Sequence, residues 1–394
     1  MYCTDSTTIG KQKADDRPIR ILHAIGGMVR GGIETWLMHI LRHIDRDRFH
    51  MDFLVHRTDP CAYDDEIRSF GSRIIPCPLD RWRPWGYTAN LNRILREYGP
   101  YDVVHSHVHH FSGYILRLAK QAGVPLCIAH SHNDTSAQEA KAGLYRQLYR
   151  RLTQSWISRY ANVGLGCSNC AAADLFGSKW ESDRRWQILY YGIDLTPFRE
   201  AIDKEAIRRE LGIPSDAFVI GHVGRFVAQK NHEFLIQIAA EVAKREPKMH
   251  LLLLGEGELR SQIQRQVEQM GLSDRVTFAG SRPDIPRLMR GAIDVFLLPS
   301  LFEGLPVVGI EAQAAGLPFI LSDTITPEVE IFKPLVRWLS LSQPASAWAE
   351  IVLNHRDAGD AIAQSEALKV VETSLFNIEV SVKQLEGIFQ EALV

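Results

Sequence analysis

Residues 299–323 read PSLFEGLPVVGIEAQAAGLPFILSD. Preceded by the apolar run Val295-Phe296-Leu297-Leu298, the stretch leaves a buried strand through a Pro/Ser/Gly turn and enters a short helical pattern. It then passes through Gly316-Leu317-Pro318 into a second apolar strand. Strand, loop, helix and strand in that order make the repeating unit of a parallel α/β sheet. Ligands of such sheets bind beyond the carboxyl ends of the strands. Glu303 therefore falls on a ligand-facing loop, and Glu311 on the helix that follows. Two acidic groups at that edge suit recognition of hydroxyl-rich molecules.

Working outward, the 394 residues are enough for two α/β domains, each with its own core. Hydrophobic content of 45% and charged content of 23% are those of an ordinary soluble chain. No apolar run approaches the roughly 18 residues needed to cross a bilayer. The first 18 residues are polar and lack the apolar segment of a signal peptide, which predicts a disordered leader and a cytoplasmic location. Six cysteines without a secretory signal predict reduced thiols, and Cys167–Cys170 reads as an incidental CxxC pair. Net charge is -2, yet residues 1–195 carry 25 basic against 20 acidic residues and 11 of the 15 histidines. That imbalance is too mild for nucleic acid but compatible with an anionic small molecule or a membrane surface.

Apolar runs at 19–25, 51–55, 73–75, 103–105 and 126–129 alternate with helical patterns, and a second series follows at 219–223, 250–254, 276–278, 295–298 and 318–321. The expectation is two doubly wound, Rossmann-like parallel-sheet domains facing across a cleft. Residues 19–195 form the first and 216–379 the second, with 196–215 as linker and a helix at 380–393 returning to the first.

Two loops look built for phosphate. The first strand runs into Gly26-Gly27-Met28-Val29-Arg30-Gly31-Gly32 before the helical run Ile33–Leu41, so backbone can approach a ligand at a helix N-terminus. This loop is neither a P-loop nor GxGxxG, and a purely structural turn is its plain alternative. An NAD site would need an acid at the end of the second strand, but Asp52 falls mid-strand. In the second domain, Gly224-Arg225-Phe226 ends a strand and Lys230 follows five positions after Arg225. A fork and a point charge can converge there on a diphosphate, the alternative being two solvated cations.

A glycosidase pair needs carboxyls roughly 5 to 9.5 Å apart, whereas eight helical residues span about 12 Å. Glu303 and Glu311 are therefore expected to have separate tasks, at the two ends of a sugar-diphosphate-nucleoside.

The combination GRF-x3-K, LLLGEGELR, FAGSRPDIPRLM and PSLFEGLPVVGIEA resembles the donor half of family 4 glycosyltransferases, retaining enzymes of the GT-B fold with an E-x7-E signature. ILHAIGGMVRGGIETWLMHILRHID, DVVHSHVHHFSGY and IAHSHND resemble the bacterial exopolysaccharide and capsular polysaccharide branch, and the likeness covers about residues 19 to 330. The resemblance implies that Glu303 contacts the transferred hexose and Glu311 the ribose, and that Arg225 and Lys230 bind the diphosphate. It also implies that backbone at Gly304, Leu305, Pro306, Val307 and Val308 lines sugar and phosphate. Arg282 would meet the base through its backbone, and Gly31-Gly32 would close over the donor from the other domain. In the HSH at 130–132 either histidine could contact the hexose, and His132 is favoured as the one further past the strand end. His105, His107, His109 and His110 read as core-edge or acceptor-lining residues, with no carboxylate or cysteine pair to complete a metal site. Asp45-Arg46-Asp47 is a DxD, but it lies away from the ligand edge. Tyr191 stands where relatives usually have Asn before Gly-Ile-Asp.

The resemblance implies retaining, metal-independent transfer of a hexosyl group from a nucleotide sugar, UDP-linked, to a saccharide or lipid-linked acceptor, with no cofactor. Epimerase-like processing of a nucleotide sugar, an NAD-dependent oxidoreductase and a non-catalytic sugar-binding module are the rival readings. Basic, amphipathic residues 141–160 with Trp156, and Arg81-Trp82-Arg83-Pro84-Trp85, suit contact with a membrane face, the alternative being packing on the first sheet.

Overall fold

The structure, a computed structural model, describes residues 17–79, 84–133, 143–355 and 364–391. Most of the leader, Arg81 to Arg83 of the tryptophan-rich loop, and Lys141 lie outside the described residues.

Seven strands build the first sheet: β1 (Ile19–Ile25), β2 (Phe49–Val55), β3 (Ile74–Pro76), β4 (Val103–Ser106), β5 (Leu126–Ser131), β6 (Val163–Gly166) and β7 (Trp186–Ile188). Six build the second: β8 (Phe218–Val223), β9 (Met249–Leu254), β10 (Val276–Gly280), β11 (Val295–Leu298), β12 (Phe319–Ser322) and β13 (Val336–Leu339). Strand orders are β3-β2-β1-β4-β5-β6-β7 and β10-β9-β8-β11-β12-β13, and the strand pairs are parallel. In each sheet the order reverses once, beside β1 and β4 and beside β8 and β11. The crevice at such a reversal is where ligands of doubly wound sheets bind.

Both faces of each sheet are covered. In β8, Val219 and Val223 join one apolar cluster while Ile220 joins another, and β9 splits in the same way, Leu252 and Leu254 against Leu251 and Leu253. Period-two alternation with both faces apolar is why these strands read as continuous hydrophobic runs. β6, β7 and β13 escaped the sequence reading for the converse reason. VGLG, WQI and VRWL are short, glycine-interrupted or polar.

Residues 196–215 contain the helix Lys204–Glu210, started by the Asp203 side chain accepting from Ala206 N–H. It is tied to the second sheet by a two-pronged Arg208–Asp294 pair at 2.8 and 2.9 Å, Asp294 also accepting from Val219 N–H. The helix Ile378–Glu391 packs on the first domain, where Trp36 Nε1 donates to Ser381 Oγ and Phe389 meets Phe49.

Candidate active site

The loops after β8 and β11 flank the second sheet's reversal, and the chain staples them together. Leu301 N–H donates to the Gln229 carbonyl at 2.8 Å and Asn231 Nδ2 to the Pro299 carbonyl at 3.1 Å. Asn231 makes the bend with φ of 53°, a left-handed conformation that asparagine tolerates. This staple places Lys230 Nζ 2.6 Å from Glu303 Oε1, with the side chains 14% and 8% exposed. Gln229 Nε2 donates to Glu303 Oε2 at 3.2 Å and to the Phe302 carbonyl at 3.0 Å. Arg225 is exposed at the mouth of the same crevice.

Glu311 sits in the helix Val307–Ala314, so only the second half of the E-x7-E interval is helical and the twelve-ångström estimate applies to only part of it. Its carboxyl is buried, and desolvation pushes its pKa up to about 7. Tyr63 of the first domain is near enough for its hydroxyl to feel the Glu311 charge.

The first domain covers this loop. A Cβ at Gly304 would lie 2.1 Å from the His132 carbonyl oxygen, so only glycine permits the two domains to meet there. Gly32 comes over the helix at Val307, where a Cβ would be 3.9 Å from Cγ2. Leu305 and Val307 are buried, and Val308 is half-buried. Beside Gly31, Glu34 folds back over the helix start, and burial pushes its carboxyl up to about 7 against the pull of Arg225. A carboxyl therefore occupies the N-terminus that the sequence offers to a phosphate.

Arg282 spends its side chain elsewhere in the fold, bonding Asp284 at 2.8 Å and Glu210 at 2.7 Å. His130 and His132 are both buried, but differ in place. His130 lies in β5 and bonds His105 of the neighbouring strand, whereas His132 directly follows β5 and its carbonyl meets Gly304. Both His132 ring nitrogens are engaged, Nε2 with His107 at 2.8 Å and Nδ1 with the Tyr191 hydroxyl. Its side chain can bond a sugar only by exchanging one of them.

Asp52 has no dinucleotide role. It is buried, accepting from Tyr101 Oη at 2.9 Å and from Arg73 N–H at 2.9 Å. Asp45 and Asp47 precede β2 at the opposite sheet edge, where the Asp47 N–H bonds Asp45. His109 bonds Asp174 at 3.0 Å and packs edge-on against His110.

The chain's match to known proteins agrees with this geometry. The family described as "Glycosyl transferases group 1" matches residues 203–354, and "Glycosyltransferase Family 4" matches residues 30–196. A relative from Bacillus subtilis, "Putative glycosyltransferase EpsF", is 41% identical over 346 residues, covering 86% of this chain and 88% of its own. The chain belongs to the family 4 glycosyltransferases. This glycosyltransferase is also 26% identical over 322 residues to an Escherichia coli enzyme named "UDP-Gal:alpha-D-GlcNAc-diphosphoundecaprenol alpha-1,3-galactosyltransferase", covering 79% of this chain and 81% of that one. Its fold is GT-B: Anabaena HepE in complex with UDP-glucose superposes with a TM-score of 0.78 at 19% identity, over 94% of this chain and 99% of that one.

Sequence reasoning missed Gln229, Glu34 and Tyr191 as parts of the site. Gln229 and Glu34 had no motif signal of their own. Tyr191 had one, since a tyrosine replaces the usual asparagine there, and it is 2% exposed against His132.

Proposed function

We propose that this glycosyltransferase moves a hexosyl group from a UDP-sugar, with retention and without a metal at the reacting centre, to a hydroxyl of a saccharide or lipid-linked saccharide acceptor in cell-surface polysaccharide synthesis. The observation that carries the reading is the Lys230–Glu303 pair held in the crevice beside Arg225. Lys230 and Arg225 stabilise charge growing on the departing diphosphate, as preorganised cations do in place of an ion. Glu303 accepts hydrogen bonds from the hexose and Glu311 from the ribose. The sugar's anomeric carbon–phosphate oxygen bond breaks as the acceptor oxygen bonds on the same face, and the acceptor's proton passes to the leaving phosphate oxygen. The UDP-bound neighbours and the galactosyltransferase named for a diphosphoundecaprenol acceptor support the donor and acceptor classes.

A panel of UDP-hexoses, each read by UDP release with and without saccharide acceptors, tests this. Acceptor-dependent release, a product of retained anomeric configuration by NMR and a rate indifferent to added Mg2+ or Mn2+ are expected. Inversion, or donor consumption with no acceptor present, overturns the reading.

A lipid-linked acceptor calls for approach to a membrane, and the helix Leu144–Tyr160 supports it. Ile157 is buried toward the sheet, but Leu144, Leu148 and Leu152 stand 73%, 55% and 49% exposed at four-residue intervals, one stripe on one face. Arg146 and Arg151 are exposed on the same helix. Such a face suits anionic headgroups. No helix among the described residues is long and apolar enough to cross a membrane. Flotation with anionic liposomes should retain the protein, and Leu148→Glu should abolish retention. Equal flotation of both, or of neither, refutes this contact.

A further inference from the structure

Five imidazoles meet on one face of the first sheet. The two HSH tripeptides, His105-Ser106-His107 and His130-Ser131-His132, end the neighbouring strands β4 and β5. Period-two alternation puts both histidines of each on the same side. His23 of β1 is the register partner of His105 and joins them. This is the face that Trp36 and Phe389 cover, with Trp36 edge-on to His130 and Phe389 edge-on to His105. All five side chains are at most 5% exposed.

Their nitrogens converge. His23 Nδ1 is 3.0 Å from His107 Nε2, His107 Nδ1 is 2.8 Å from His132 Nε2, and His105 Nε2 is 3.1 Å from His130 Nδ1. In two overlapping triads, His23–His105–His107 and His107–His130–His132, the ligand atoms all lie within 4.8 Å of one another. Two imidazoles on one tetrahedral zinc, at about 2.0 Å each, hold their nitrogens roughly 3.3 Å apart. Within each triad the one close pair, His23–His107 or His107–His132, needs to open by only a few tenths of an ångström. Three nitrogens, His23 Nε2, His105 Nδ1 and His130 Nε2, are buried with no hydrogen-bond partner. Hydrogen bonding among the rings therefore leaves the cluster unsatisfied. Tyr191 bonds His132 from outside, the kind of contact that orients a ligating imidazole.

We propose that the cluster binds one divalent transition-metal ion of the zinc class through three neutral imidazoles, with His107 common to either arrangement. Neither triad contains a carboxylate. The fourth position falls to water. The ion would stand behind the reacting centre. In the second arrangement His132, whose carbonyl meets Gly304, is itself a ligand, and in either arrangement the ion ties the end of β4 to one neighbouring strand, β1 or β5, beneath the donor loop. Its role is positioning, and it does not replace the cations that face the leaving group.

The test uses the tag-free full chain, stripped by a chelator and titrated with Zn2+ against a chromophoric competitor, with Co2+ substitution for its ligand-field spectrum. One equivalent bound below micromolar Kd, a higher thermal midpoint with Zn2+ and a tetrahedral Co2+ spectrum are expected. His107→Asn should weaken binding at least a hundredfold. One of His23→Asn and His130→Asn should do the same and so identify the triad, while His43→Asn, on the exposed side of its helix, should not. UDP binding reports that each variant is folded. Wild-type protein that takes up no Zn2+, or binding that survives both His23→Asn and His130→Asn, overturns the proposal even if His107→Asn fails to fold.

Discussion

Lys230→Ala should lower kcat/KM for sugar transfer by about 100- to 1,000-fold, the range seen when one preorganised charge-stabilising donor is removed. Most of the loss should appear in kcat, because charge on the diphosphate grows toward the transition state and the lost interaction grows with it. The same substitution has a second effect. Lys230 and Glu303 form an ion pair at 2.6 Å, and both are largely withdrawn from water. Removing one partner of a buried pair leaves the other charge uncompensated, a cost of about 3 kcal/mol. Replacing both partners relieves that cost. Lys230→Ala should thus lower the thermal midpoint, and adding Glu303→Ala should recover part of the midpoint while recovering no activity. Gln229 remains to satisfy one oxygen of Glu303, which moderates the single variant's loss. Transfer within threefold of wild type in Lys230→Ala would remove Lys230 from the leaving-group site.

The architecture was legible wherever burial on two faces forces a strand to be apolar throughout. β1 and β11 were read with their observed ends, Ile19–Ile25 and Val295–Leu298. The edge strands β3 and β10 were read, whereas β7 and β13 left no trace because WQI and VRWL are short and interrupted by polar residues. The grouping of Lys230 with Glu303 was legible only through topology. Seventy-three residues separate them, and nothing local to either says that β8 and β11 are neighbours. A parallel-sheet order with one reversal supplies that. The histidine cluster shows the limit of reading by segments. Each HSH is visible alone, but their convergence with His23 follows from β1, β4 and β5 lying side by side in register. The engagement of both His132 nitrogens was equally invisible, because one partner, Tyr191, arrives from a segment 59 residues away.

Glu311→Gln should stabilise the protein and weaken nucleotide binding together. Burial raises the Glu311 carboxyl from 4.5 to about 7. Between those values the folded protein keeps a proton that the unfolded chain releases. Stability from this group is therefore complete below about pH 4.5 and is lost as pH rises through about 7. By pH 8 the loss amounts to about 3 kcal/mol, since each pKa unit is worth about 1.4 kcal/mol. Glutamine is neutral at every pH and keeps the shape, so the variant's thermal midpoint should exceed that of wild type at pH 8 and converge with it near pH 5. Binding should move the opposite way. An ionised carboxylate accepts both ribose hydroxyls, while an amide offers one acceptor oxygen of lower charge. The charge-assisted part of such a bond is worth about 1.5 to 3 kcal/mol, so Kd for UDP at pH 8 should rise about 10- to 100-fold. Wild-type affinity should itself strengthen as pH rises from 6 to 8, because the nucleotide needs the ionised form, and the variant should lose that dependence. A glutamate kept only to pack its helix would give no such pairing. Its replacement would change the midpoint and leave UDP affinity flat with pH. Gain in stability at pH 8 with loss of affinity is the signature of a carboxylate held in an unfavourable place for the sake of its ligand.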